Sequence, residues 1–319
     1  MGVLTILTGA FSLTVLGQES YNIPIWVKTV AKWWGEGKVS DSEYVKGIQY
    51  LIQNGIIQLQ PKNITPFVIP TTASLTANCL DKTFPKVNWS FCDFSGTDLH
   101  HAYLHDANLT GTNLAGANLE DSYFLSTIMI HTNLSHANIS SADLASANLQ
   151  NSDLTGVNGA YINLNMADLT GANLTGANLM GCDCYQTVFT NTILLNTDLN
   201  HAVITESDFT TANAVGVILR DAKVTNSNFT RANMHNANLQ SADFSGSDLT
   251  SANLSNVTLQ NSGLGFTILR NTNLSFANLN HADLGNADLT GANLTNADLT
   301  GAVLAGANLH CIGNPICIR

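Results

Sequence analysis

From Phe84 onward an apolar residue returns at every fifth position: Trp89, Phe94, Leu99, Leu104, Leu109, Leu114, Leu119, Phe124, Met129, Leu134 and so on to Leu309. Two residues before each stands a small one, as at Ala102, Ala107, Thr112, Ala117 and Ser122, and Asn or Asp lies between. A period of five matches neither the 3.6-residue helix nor the two-residue strand. Self-similarity held over so long a stretch predicts a solenoid, whose units bury their apolar sides against one another.

The residues before the repeat follow other rules. Val3 to Leu16 is apolar apart from Thr, Ser and Gly, and Val15-Leu16-Gly17 before Gln18 has the small-residue character of a secretory cleavage site. No Lys or Arg precedes Lys28, so residues 1–20 are expected as an atypical leader, or else as a buried apolar strand or helix. Residues 21–60 are expected as a small α-helical hairpin module. Pro24 stands near the start of its first helix, which carries Trp26, Trp33 and Trp34 and ends at Gly35 and Gly37. Ser40-Asp41-Ser42-Glu43 makes a capping box for the second, with Tyr44, Ile48, Leu51 and Ile52 on one stripe and a stop at Asn54-Gly55. The three Trp are read as the core of this module. Residues 61–86 are expected as a linker and N-terminal cap, 87–310 as the repeat domain, and 311–319 as a C-terminal cap.

The recurring Ala-Asn-Leu-Thr-Gly and Ala-Asp-Leu units resemble the pentapeptide-repeat family. That resemblance implies an all-β solenoid, a right-handed quadrilateral β-helix in which four pentapeptides make one square coil. It also implies that the central and small residues point inward. About 45 units give about eleven coils, a rod roughly 53 Å long at ordinary strand spacing. The run Ser-Asp-Ser-Glu-Tyr-Val-Lys-Gly-Ile-Gln-Tyr-Leu-Ile, with the Trp residues before it, resembles a module of exported proteins of ammonia-oxidising archaea.

With twenty residues to a coil, residues twenty apart should stack. Phe189, Phe209 and Phe229 then form an aromatic stack, and Thr187, Ser207, Ser227, Ser247 and Thr267 a ladder of hydroxyls. Buried hydroxyls need partners, which the coils above and below can supply. Val157 with Gly159 reads as an exchange of volume within one inward site.

Composition agrees with a packed repeat. Charged residues are 11% while apolar residues reach 45%, so enough apolar surface exists to bury and disorder is disfavoured. A net charge of −11 excludes direct nucleic-acid binding, which needs a basic face. No apolar run is long enough for an ordinary transmembrane helix.

Candidate chemistry is sparse, and no enzyme, cofactor or metal site is expected. His100, His101 and His105, with Asp106 and Asp121 nearby, form one cluster, read as solvated surface. Cys79 with Cys92 and Cys311 with Cys317 are candidate disulfides, whereas Cys182 and Cys184 are expected as a buried thiol pair. Asn63 is the least ambiguous glycosylation candidate among several sequons. Outward apolar residues mark a candidate partner surface: Tyr103, Tyr123, Val203 and Val303 on one face, Ile128, Val188 and Ile268 on the next.

Two functions follow. The first is a non-catalytic extracellular or cell-surface scaffold presenting the rod to a protein or surface partner. The alternative, carried by the family resemblance, is an acidic DNA mimic that inhibits a topoisomerase such as DNA gyrase. Residues 86–310 hold 18 Asp and Glu against 5 Lys and Arg, so 18 − 5 leaves 13 negative charges. Over the length of the rod that is roughly one per 4 Å, against one per 1.7 Å in duplex DNA. The Asp residues are expected on all four faces, which dilutes any single stripe.

Overall fold

The computed structural model describes residues 2–7, 10–15, 79 and 85–318, in two units, Met1–Ile69 and Pro70–Arg319. In the first unit β1 (Gly2–Leu7) and β2 (Ala10–Val15) pair antiparallel, Gly2 opposite Val15 and Leu7 opposite Ala10. Their Val, Ile, Thr and Phe residues suit a pleated pair. These strands fall in the segment expected as a leader. The helical module over 21–60, and all but residues 79, 85 and 86 of the linker, lie outside the described residues.

The second unit is a parallel solenoid with a twenty-residue turn. Mid-side residues bridge to their counterparts one coil on, from Asn88 to Asn108, Tyr103 to Tyr123 and onward to Asp288 and Asn308. Each coil has four sides of this kind. Backbone groups on both edges of a side are used: Leu104 N–H donates to Tyr123 O at 2.8 Å, and Asn108 N–H to Val87 O at 2.9 Å. Corners close by Ala107 N–H donating to Leu104 O at 3.1 Å, and the second corner residue, Asp106, has φ 56°. That geometry is a type II turn, which favours Gly or Asn at this position. Non-glycine residues hold it because the coil over-determines it: Asp106 N–H also donates to Leu125 O at 2.9 Å.

The inward pattern holds. Ala102 and Leu104 are buried while Tyr103 between them is exposed, and so on around each coil. The core runs continuously from Val87 to Leu294, with the last coil's Leu299, Leu304 and Leu309 only partly buried. Phe189, Phe209 and Phe229 stack with ring centroids 4.4 and 4.5 Å apart. The space at Gly159 is taken by its vertical neighbours: a Cβ there would meet Leu179 Cδ2 at 2.9 Å and Ile139 Cγ1 at 3.3 Å. Val157 is not among the nearest atoms, so the exchange of volume runs between coils and not within one.

The hydroxyl ladder works by insertion into turns. Ser207 Oγ accepts from Thr187 N–H at 3.1 Å and donates to Cys184 O at 2.6 Å, bridging the two groups that would otherwise close that corner directly. Ser227 does the same for Ser207 N–H and Ile204 O, and Ser247 for Ser227 N–H and Val224 O. Among the described residues no buried side-chain polar atom is left unsatisfied.

Disulfides join Cys79 to Cys92 and Cys311 to Cys317. The expected thiol pair is corrected: Cys182 and Cys184 are also bonded. Alternate residues of one side both point inward here, and their Cα atoms are 5.7 Å apart, within the usual disulfide span. Beyond the last repeat, Asn314 Nδ2 donates to Ala297 O at 3.2 Å and Ile318 N–H to Leu309 O at 2.9 Å, tying the disulfide-closed tail to the final coil.

Candidate interaction surface

The square cross-section sorts outward residues into vertical columns. On the side of Tyr103 the column runs Tyr103, Tyr123, Asp143, Asn163, Asp183, Val203, Lys223, Asp243, Gly263, Asp283, Val303. On the next side it runs through Ile128, Asn148, Asp168, Val188, Asp208, Asn228, Asp248, Ile268 and Asp288. Acid and apolar residues are therefore mixed on two adjoining sides.

Five of the seven predicted surface residues are well exposed: Tyr103, Tyr123, Ile128, Val203 and Val303. Val188 and Ile268 are only half-buried. Tyr103 and Tyr123 stack with centroids 4.9 Å apart and planes 7° from parallel. Val203 stands four coils from Tyr123 and Val303 five more beyond, so the column is not one continuous patch.

The corners add what the mid-side pattern missed. Leu125, Tyr161, Met166, Tyr185 and Phe266 are exposed at corners bordering the Tyr103 side. With Tyr103, Tyr123, Val203 and Val303 they make nine of the fifteen exposed large apolar residues among the described residues. That side and its two corners hold only five of the twelve outward positions in a coil, so apolar exposure is concentrated there.

Acids share the bias. The thirteen mid-side Asp residues divide as eight on the Tyr103 and Ile128 sides against two and three on the others. Asp thus stands on all four faces, as expected, but unevenly. On the acidic sides Asp168 and Asp288 are held below the usual carboxylate range. Burial pushes Asp168 up, but hydrogen bonds from Thr170 and Gln150 outweigh it. For Asp288 the Thr290 hydroxyl is the main cause, opposed by burial and helped by Arg270. Tyr185 shifts upward through partial desolvation and the neighbouring Glu206 carboxylate, to which its hydroxyl donates at 3.2 Å. Such groups stay charged or neutral at ordinary pH, and none is poised as an acid or base.

The other two sides are lined with hydrogen-bonded amides. On one, Asn118 Nδ2 donates to Asp98, Asn138 to Asn118, Asn158 to Asn138 and Asn178 to Asn158, at 2.9–3.2 Å; on the other, Asn133 donates to Asn113 at 3.1 Å and Asn253 to Asn233 at 2.9 Å. These ladders occupy the polar groups with one another and leave a flat polar wall.

Apolar core, square coil and outward polar columns define a β-helical repeat protein. Residues 83–264 and 282–311 match the family model of pentapeptide repeats, and the chain belongs to that family. Pentapeptide-repeat proteins fold as right-handed quadrilateral β-helices. HetL, involved in heterocyst differentiation regulation in the cyanobacterium Nostoc sp. strain PCC 7120, is 26% identical over 77% of this chain and 98% of its own, with a TM-score of 0.36. A trypsin-treated form of QnrB1, a plasmid-mediated fluoroquinolone resistance protein, is 15% identical over 69% of this chain and 90% of its own, with a TM-score of 0.32. A pentapeptide repeat protein of the Arabidopsis thaliana thylakoid lumen is 26% identical over 44% of this chain and 72% of its own, with a TM-score of 0.12. No curated protein matches the chain.

Proposed function

We propose that the protein is a non-catalytic binding rod of about eleven coils that docks a macromolecular partner along the side of Tyr103 and its corners. The observation that carries this reading is the concentration of exposed apolar residues there, interleaved with Asp. Large apolar residues on a polar-rimmed face mark contact surfaces, and an acidic rim selects partners with a basic one. The rod's interior is filled by Leu, Phe and Ala, so any catalytic pocket would have to be built on the outside. Three disulfides suit an oxidising location, and we place the protein outside the cell or on its surface.

The test uses a partner recovered from native cells by crosslinking. Tyr123→Asp with Leu125→Asp is expected to abolish recovery, while Asn253→Asp on an amide-ladder side leaves it intact. Equal recovery from both variants would sink the proposal. Amino-terminal mass-mapping of fractionated cells checks the location.

A second reading rests on the uneven acids. Eight mid-side Asp on two adjoining sides give a denser stripe than an even spread, which is what a DNA mimic requires. Inhibition of gyrase supercoiling, lost when Asp168 and Asp208 are changed to Asn, would support it; no inhibition would remove it.

A further inference from the structure

Thirteen of the seventeen described glycines take a positive φ, and Gly159 makes room inside the core. The other three, Gly263, Gly265 and Gly285, face outward, and none has a left-handed φ. They stand together: Gly263 and Gly265 lie in one coil and Gly285 in the next, on the Tyr103 side and the corner it shares with the Ile128 side. Packing does not require them either. A Cβ at Gly265 would meet only Gly285 O at 3.7 Å and Ser245 Oγ at 3.9 Å, which is ordinary contact. A Cβ at Gly263 would stand 3.0 Å from Asp243 Oδ1, yet earlier in the same column Asn163 follows Asp143 and donates Nδ2 to its Oδ1 at 2.8 Å. Ala145 likewise holds, after Asp143, the place that Gly285 holds after Asp283. What the three glycines leave is bare backbone, which another chain can approach closely.

The rim of this patch is acidic and aromatic. Asp243 lies one coil before Gly263 and Asp283 one coil after it, about 9–10 Å apart at ordinary strand spacing. Each carboxylate is fixed through Oδ1 alone: Asp243 accepts from Ser245 N–H at 3.0 Å and Oγ at 2.5 Å, and Asp283 from Gly285 N–H at 2.9 Å. Neither Oδ2 has a partner among the described residues, and Lys223, one coil before Asp243, pairs with neither acid. Phe266 follows Gly265, is 69% exposed, and donates its N–H to Gly285 O at 2.9 Å.

We propose that this patch receives an arginine side chain of the protein partner, its guanidinium lying over Gly263 and Gly265 between Asp243 and Asp283 and beside Phe266. The inference rests on the reading of the Tyr103 side as the docking face, and it names the chemistry that the partner brings to this part of it. A planar cation with donors along its edges bridges two carboxylates and stacks on an aromatic ring at once, which the point charge of lysine does not. A side chain at 263 or 265 would hold it away from the backbone and from the free carboxylate oxygens.

The probe is a nine-residue Gly-Ser peptide with one central arginine, titrated at low salt into the nitrogen-15-labelled, disulfide-intact full chain and followed by amide NMR shifts. The same peptide with lysine is the contrast. Saturable shifts are expected at the amides of Gly263, Gly265 and Gly285, with lysine binding at least about threefold weaker. Gly263→Asn with Gly265→Thr installs residues that the repeat carries elsewhere in those columns, at Asn163 and Thr205. That variant should melt no lower than the unaltered chain, yet its affinity for the arginine peptide, read at Gly285, should fall at least about tenfold. Asp243→Asn with Asp283→Asn should weaken binding as much, and serves alone if the glycine variant misfolds. Tyr123→Asp with Leu125→Asp, seven coils away, should bind the peptide as the unaltered chain does, so loss of docking at that end is told apart from failure here. No saturable shift at the three glycines, equal affinity for lysine, or affinity unchanged in the folded glycine or aspartate variant overturns the proposal.

Discussion

The ring of Tyr161 lies across Gly181, its counterpart one coil on: a Cβ at Gly181 would stand 2.7 Å from Tyr161 Cδ1. Phe91 covers Gly111 and His136 covers Gly156 in the same way. A large corner side chain leans toward the next coil, and glycine there leaves room for it. Gly181→Ala should therefore cost both the left-handed strain of its φ of 68° and the displacement of the ring. Gly116→Ala, at φ 64° with no atom within 4 Å, should cost only the strain, about 1–2 kcal/mol. Denaturant melts of both variants decide it, since equal losses would contradict the overlap.

Phe209 is held between Phe189 and Phe229 at 4.4 and 4.5 Å and is fully buried. Phe209→Ala removes both stacking partners and leaves a cavity in a column with no side chain able to fill it. The expected loss is about 3–5 kcal/mol, and Phe209→Leu should recover much of it. Unfolding midpoints of the pair provide the check.

Ser227 closes a corner in the coil before its own, since its hydroxyl accepts from Ser207 N–H and donates to Ile204 O, each at 3.1 Å. Ser227→Ala leaves those two buried groups without that bridge, at an expected cost of about 1–3 kcal/mol. Amide exchange should quicken at Ser207, in the neighbouring coil, more than at residue 227. Faster exchange confined to residue 227 would refute the inserted hydroxyl.

Cys182 and Cys184 are fully buried, whereas Cys317 of the tail is partly exposed. Access governs thiol exchange, so mild reductant should open Cys311–Cys317 well before Cys182–Cys184. Mass spectrometry after timed alkylation reads the order. Early labelling of Cys182 would show that the core opens locally.

Asp168 and Asp288 have lowered pKa values in the fold, by the hydrogen bonds already described. The unfolded chain therefore takes up protons first, and their stabilisation is present above the ordinary value of about 3.9. It is lost as pH falls from there through the lowered folded values. Melting temperature should hold steady down to about pH 5 and then fall. Asp168→Asn with Asp288→Asn should flatten that fall; an unchanged acid limb would mean these carboxylates contribute nothing.

The repeat's inward positions were readable from sequence because burial acts on residue type. Leu, Phe and Met at one position and Ala, Ser and Thr at another leave a period that no surface segment would keep. From that period and a twenty-residue coil follow the Phe189, Phe209 and Phe229 stack and the hydroxyl ladder, while the two flanking disulfides were read from cysteines placed at the two ends of the repeat. The same logic identified Tyr103, Tyr123 and Ile128, since each interrupts a column of Asn and Asp.

Only the tertiary structure decided the rest. Corners face water, so Leu125, Tyr161, Met166, Tyr185 and Phe266 interrupt no pattern, and their concentration beside Tyr103 needed three dimensions to be seen. The bond between Cys182 and Cys184 depends on a Cα separation that a residue count does not give. Whether a ladder hydroxyl meets another hydroxyl or a turn of the preceding coil is set by the offset between coils. The chain's periodicity determines what is buried and what stacks; the direction in which each outward side chain leans is a property of the assembled coil, where neighbours twenty residues apart share one surface.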